Sequence, residues 1–184
     1  KPAMMEASGN SSHEPSDLAT QLRETIAKLY GLTKDHVLLG AGSSELLGNT
    51  AALAAQEKGS NVVTADPTFR LWFGMATLLG LQIKKVPLTL AKVHDLPAML
   101  AAMDKNTRMV YVVNPNNPTG TVVADAALQE FSETVTKQCL LLLDEAYTEY
   151  SDAQTLAPMV AGNKNLVIAK TFSKIHGMAG ARVG

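Results

Sequence analysis

Five short stretches of this sequence hold residue types that together could run one reaction. They are Gly42-Ser43-Ser44, Asp66-Pro67-Thr68-Phe69, Asn114-Pro115-Asn116-Asn117-Pro118, Asp144-Glu145-Ala146-Tyr147 and Ser173-Lys174, the last followed eight residues on by Arg182. Gly42, Ser43 and Ser44 at a helix start offer backbone N–H groups, two hydroxyls and a helix dipole to an anion. A dinucleotide fingerprint needs a third glycine where this chain has Glu45, so a monophosphate fits better. Asp144 ends a run of four leucines, where an ionised carboxylate is poorly solvated and wants a cationic partner. Phe69 follows a rigid Pro-Thr and is suited to stack on a flat ring, and Asn117 lies in a loop fixed by prolines. Lys174 stands in a neighbourhood of small and apolar residues, where an amine is costly unless something uses it. A phosphate, a protonated ring nitrogen, a flat ring and a carbonyl carbon needing an amine together describe pyridoxal 5′-phosphate. Lys174 would form a Schiff base with its aldehyde, and Asp144 would keep its pyridine nitrogen protonated.

The elements that carry these residues alternate. Residues 17–29 read as an amphipathic helix, with Leu18, Leu22, Ile26 and Leu29 at helical spacing and Ser16 or Asp17 as cap. Residues 36–42 read as a short buried strand, followed by a helix that Gly59 closes. Strands are expected at 61–69, 82–88, 108–113, 139–144 and 165–170, with helices over 70–80, 95–104 and 124–137. Val-, Ile- and Leu-rich strands with little polar alternation, separated by helices, imply α/β architecture: a mostly parallel sheet covered on both faces, three layers deep. In such sheets ligands sit beyond the carboxyl ends of the strands. Five of the six expected strand ends carry polar or aromatic groups. Taken singly, each is also explained by a cap, a turn or a solvated strand exit. Five together point to one shared site.

Composition narrows the class. The 184 residues are 46% apolar and 18% charged, with net charge −1 and scattered basic residues. That fits a soluble globular protein and gives no nucleic-acid surface. The longest apolar run, around Cys139–Leu143, is too short to span a bilayer. The lone Cys139 fits a reduced compartment, and no apolar stretch follows Lys1 as a signal peptide requires, so the cytoplasm is expected. His36, His94 and His176 lack metal-ligand spacing, and no metal is expected. Trp72 and the methionines read as core, Glu45 as a helix cap, and Glu149, Lys84 and Lys85 as solvated.

In the order GAGSSELL, DPTF, NPNNPTG, DEAY, FSK and MAGARVG, the chain from about Leu18 to Gly184 resembles the class I/II aminotransferases of fold type I, specifically the histidinol-phosphate aminotransferase-like branch. The resemblance implies that Lys174 is the Schiff-base lysine and proton shuttle, and Asp144 the partner of the pyridinium nitrogen. Asn117 and Tyr147 would bond the ring's phenolic oxygen, and Phe69 would stack on its face. Ser43 and Ser44, with Gly42, Ser173 and Arg182, would hold the phosphate, Arg182 by its planar fork. It further implies a homodimer passing nitrogen from an amino acid, or an amino-alcohol phosphate such as histidinol phosphate, to a 2-oxo acid. The branch carries Arg-Tyr-Pro where this chain has His13-Glu14-Pro15, so the tyrosine contact between subunits is not matched. Residues 1–16 are expected to be a partial N-terminal segment and 17–184 an incomplete cofactor-binding large domain without its small domain, so that this stretch alone would not turn over. A threonine-phosphate-type decarboxylase shares nearly all these motifs and stays open, as does a domain that only binds cofactor. A nicotinamide dehydrogenase is disfavoured by the broken glycine pattern.

Overall fold

The computed structural model describes residues 17–184. Two compact units divide the chain between Leu38 and Leu39.

In the first unit, helix α1 (Leu18–Leu29) forms where the periodicity places it, and a single turn, Lys34–His36, follows. Arg23 joins the two: its Nη2 donates to Lys34 O at 2.8 Å and its Nε to Val37 O at 2.8 Å. Two expectations for this helix need correction. Asp17 occupies the cap position, but its side chain accepts no capping hydrogen bond. Of the apolar stripe, Leu18 and Leu29 are exposed. Ser16 and the stretch 13–15 lie outside the described residues.

The second unit is built on a five-stranded sheet. Strands β1 (Asn61–Asp66), β2 (Gln82–Pro87), β3 (Thr107–Val113), β4 (Leu140–Asp144) and β5 (Leu166–Ala169) lie in the order β2-β1-β3-β4-β5. All four pairings are parallel. Helices α2 (Ser43–Ala54), α3 (Leu71–Leu78), α4 (Leu96–Ala102) and α5 (Asp125–Val135) complete the layers. Strand alternation decides which face each residue serves. Val110 and Val112 of β3 pack with Met99 of α4 and Leu128 and Phe131 of α5. Met109, Tyr111 and Val113 pack with Leu47 of α2 and Trp72 and Phe73 of α3. The result is the expected α/β/α sandwich, with one apolar core on each side of the sheet.

The sixth expected strand does not form. Residues 36–42 make only an isolated antiparallel bridge, Ala41 to Val183, with Gly40 N donating to Gly184 O at 2.9 Å. Leu38 is 69% exposed rather than buried. An apolar run becomes a strand only when a neighbour supplies a ladder of partners, and here the pairing extends over two residues. Among the described residues no helix is long and apolar enough to cross a membrane.

Candidate active site at the carboxyl ends of the strands

The chain runs from β1 outward to β2 and then back across to β3, so the strand order reverses between β1 and β3. A crevice at such a reversal is where open α/β sheets bind ligands. A cleft of about 180 Å³ opens at the carboxyl ends. Nine of the ten residues singled out from the sequence line it. Ser43 and Ser44 come from the start of α2, Phe69 from the turn after β1, and Asn117 from the loop after β3. Asp144 and Tyr147 come from the exit of β4, and Ser173, Lys174 and Arg182 from the segment after β5. The tenth, Gly42, is not in the lining but caps α2 directly before Ser43. Its φ of 77° lies in the left-handed region, and a Cβ there would run into the Arg182 guanidinium. Only glycine suits both conditions.

The anion end of the cleft is the start of α2. Its cap is Gly42, with no side chain to take up the first N–H groups. Glu45 does not cap it as expected: its Oε2 accepts from Ala41 N at 2.6 Å, one residue before the cap, and so braces the turn into α2 rather than taking up a helix N–H. Arg182 has φ 51° and ψ 54°, a left-handed conformation that side-chain-bearing residues adopt at a cost. Its Nη1 donates to Ala179 O at 3.1 Å and its Nη2 to Ala41 O at 3.4 Å, which aims the cation at the helix start. Gly42, Ser43, Ser44 and Arg182 therefore form one donor-rich corner, and Ser173 lines the same cleft.

Asp144 stands at the opposite kind of environment. It is 4% exposed. Its Oδ2 accepts from the Tyr111 hydroxyl at 3.0 Å and its Oδ1 from Ala146 N at 3.1 Å. Burial pushes its pKa up to about 6, against the pull of those two hydrogen bonds and of the Lys174 charge. Lys174 Nζ lies 5.2 Å from the centre of the Tyr147 ring, a cation over an aromatic face. No carboxylate among the described residues forms an ion pair with it.

Within the asparagine loop the three side chains divide their work. Asn114 Oδ1 accepts from Val123 N at 2.9 Å, and Asn116 bonds Thr68, Pro67 O and Thr119, so both hold the loop together. Asn117 alone faces the cleft.

Several contributors were not singled out from the sequence. Val113, Ala146, Thr171 and Ala179 also line the cleft, and Tyr111 supports Asp144 from behind. A tyrosine among the Met and Val residues of 109–113 was the one legible signal, because a buried hydroxyl needs a partner. Glu145 is 2% exposed and fully engaged. Its Oε1 accepts from Leu156 N at 2.9 Å, and its Oε2 accepts from Thr155 Oγ1 and from Lys170 Nζ at 3.1 Å. Three residues expected to be solvated are at least partly exposed and also form ion pairs. Glu149 meets Lys170 at 3.0 Å, Lys84 meets Asp104 at 2.7 Å, and Lys85 meets Asp66 at 3.6 Å. Their partners come from other strands and turns, beyond the reach of local sequence. Trp72 is core, as expected, and stacks on Tyr111 at 4.8 Å.

Residues 3–184 match the family model described as aminotransferase class I and II. A histidinol-phosphate aminotransferase of Moorella thermoacetica is 41% identical over 186 residues, covering 99% of this chain and 48% of the relative. The crystal structure of histidinol-phosphate aminotransferase from Sinorhizobium meliloti in complex with pyridoxal-5′-phosphate superposes with a TM-score of 0.89 at 29% identity, covering 98% of this chain and 50% of that one. An L-threonine-O-3-phosphate decarboxylase from Porphyromonas gingivalis superposes at 0.80 but is 22% identical, a likeness of fold alone. The chain spans about half the length of the curated relatives it matches. Because the family model matches residues 3–184, nearly the whole of the chain, this chain belongs to the class I and II aminotransferases.

Proposed function

We propose that residues 17–184 form the cofactor-binding large domain of a pyridoxal-phosphate-dependent aminotransferase of the histidinol-phosphate type. It would pass an amino group between an amino acid or histidinol phosphate and a 2-oxo acid, as a homodimer in the cytoplasm. The observation that carries the reading is the convergence of Phe69, Asn117, Asp144 and Lys174, from the exits of β1, β3, β4 and β5, on one cleft beside the corner of Ser43 and Arg182. The donor set fits the cofactor's chemistry. Hydroxyls, helix N–H groups and a guanidinium suit a phosphate, and a buried carboxylate lacking a cation suits a protonated ring nitrogen.

When bound, pyridoxal phosphate supplies an electron sink for the charge that develops at the substrate's α carbon. The chain's own residues do the rest. Lys174 would hold the cofactor through Nζ and take and return the substrate's α proton at that same atom. Asp144 keeps a proton on the ring nitrogen, and its dry surroundings strengthen that interaction over what water would allow. Arg182, Ser43, Ser44 and Ser173 anchor the phosphate, Phe69 flanks the ring, and Asn117 and Tyr147 orient it through its phenolic oxygen. Tyr147 also steadies the Lys174 ammonium, over whose charge its ring already lies.

The test is amino transfer from histidinol phosphate to 2-oxoglutarate by the full-length enzyme. Steady turnover that vanishes in Lys174→Ala is the expected outcome. Carbon dioxide release from an amino-acid phosphate, with no amino transfer, would contradict the reading.

A further inference from the structure

We propose that Tyr111 is a positioning residue for Asp144. Its phenol, clamped behind the cleft by the Trp72 indole, sets how strongly that carboxylate holds its negative charge and so how firmly the cofactor's ring nitrogen keeps its proton. This rests on the reading of Asp144 as the ring-nitrogen partner.

Tyr111 lies on the central strand β3, fully buried. It pairs in register with Leu142, two residues before Asp144. Two residues along a strand are ~6.6 Å, a gap that a tyrosine side chain spans and a serine or threonine does not. The hydroxyl donates to Asp144 Oδ2 at 3.0 Å. The ring cannot turn away. Trp72 stacks on it with centroids 4.8 Å apart and planes 25° from parallel. The indole in turn donates from Nε1 to Leu47 O at 3.0 Å, in the helix whose start forms the donor-rich corner of the cleft. Asp144 is thereby held by a rigid stack tied to α2, the same element that supplies Ser43 and Ser44.

The chemistry has a definite sign. Burial and the adjacent carboxylate push the Tyr111 phenol well above its usual range, so it stays protonated and donates at any working pH. A donor to the ionised carboxylate favours the charged form and opposes the effect of burial. The other charges acting on Asp144 are Glu145 beside it, which raises its pKa, and Lys174 after β5, which lowers it. Tyr111 is the strongest of the groups that hold the charge on. A phenylalanine would fill the same volume and keep the stack, so packing alone does not call for the hydroxyl.

The experiment uses Tyr111→Phe in the full chain, with and without pyridoxal phosphate. In the cofactor-free protein labelled with 13C at aspartate carboxyls, the Asp144 signal is identified by its loss in Asp144→Asn. Its midpoint should rise by about one pH unit in Tyr111→Phe, as removal of a hydrogen bond to a charged group implies. With 15N-labelled pyridoxal phosphate bound, the ring-nitrogen resonance should move toward its unprotonated position. An unchanged carboxyl midpoint would overturn the role of Tyr111 and leave the proposed function untouched. A shifted midpoint with an unmoved ring nitrogen would instead overturn the pairing of Asp144 with the ring. A shift of both, with the unfolding temperature at pH 5 retained, is the result the geometry calls for.

Discussion

Asp144 and Glu145 leave the same strand one residue apart, and both are buried, yet they are treated in opposite ways. Strand alternation sends Asp144 to the cleft and Glu145 to the other side. Glu145 meets a cation, Lys170, and accepts from a hydroxyl and a backbone N–H as well. Asp144 receives only two neutral donors, and no cation among the described residues comes within ion-pairing distance of it. A buried carboxylate is stable when its charge is matched inside the chain, and its pKa rises when it is not. Glu145 is a closed structural joint between the β4 and β5 exits. Asp144 keeps an unmatched charge, which is what a partner for a cationic ligand nitrogen needs.

The sharpest way to break this comparison is to neutralise each carboxylate in the full-length enzyme. Asp144→Asn should lower kcat at least ~10²-fold while weakening cofactor binding far less, because an amide cannot keep the ring nitrogen protonated. Near-normal turnover in that variant would place Asp144 with Glu145 as structural.

Without cofactor the same substitution should stabilise the fold. The folded pKa of Asp144 lies above its ordinary 3.8, so the group's contribution is fully present below that value and is lost as pH rises through about 6. Urea unfolding should find Asp144→Asn more stable by ~3 kcal/mol at pH 8, with the gain shrinking toward pH 4. Glu145→Gln should do the reverse. It removes the buried carboxylate charge that faces Lys170 and should destabilise by about 2 kcal/mol in the same measurement at pH 7.5. A stabilised Glu145→Gln would erase the distinction between the two.

His94 extends the series to a buried group with no hydrogen-bond partner among the described residues. It is buried, and neither ring nitrogen finds a hydrogen bond among the described residues. Burial lowers its pKa to about 4. The neutral form is the one folded, so the stability it permits is present above pH 6.5 and is lost as pH falls toward 4. His94→Leu should remove about 1 kcal/mol of the loss seen between pH 8 and pH 5.5. An unchanged acid limb would show that His94 finds water or a partner there.

The strands and the chemistry at their ends were readable because both are local. An apolar run reveals β4, and Asp144 is simply the residue that follows it. The parallel sheet then brings Phe69, Asn117, Asp144 and Lys174 together without any pairwise information. What stayed hidden depends on pairings distant in sequence. Tyr111 is linked to Asp144 only by the register of β3 on β4, and Glu145 to Lys170 only by that of β4 on β5. Residues 36–42 have the composition of a strand, but composition does not reveal whether a neighbour will complete the ladder.

Borohydride reduction of the pyridoxal-phosphate-loaded protein, followed by peptide mapping, tests the central claim most directly. The amine at the cleft, 5.2 Å from the Tyr147 ring centre, is Lys174. The account predicts a single pyridoxyl label on the peptide that carries Lys174, and none on that peptide in Lys174→Ala. A label on Lys170, Lys92 or any other lysine of the wild-type protein would contradict it.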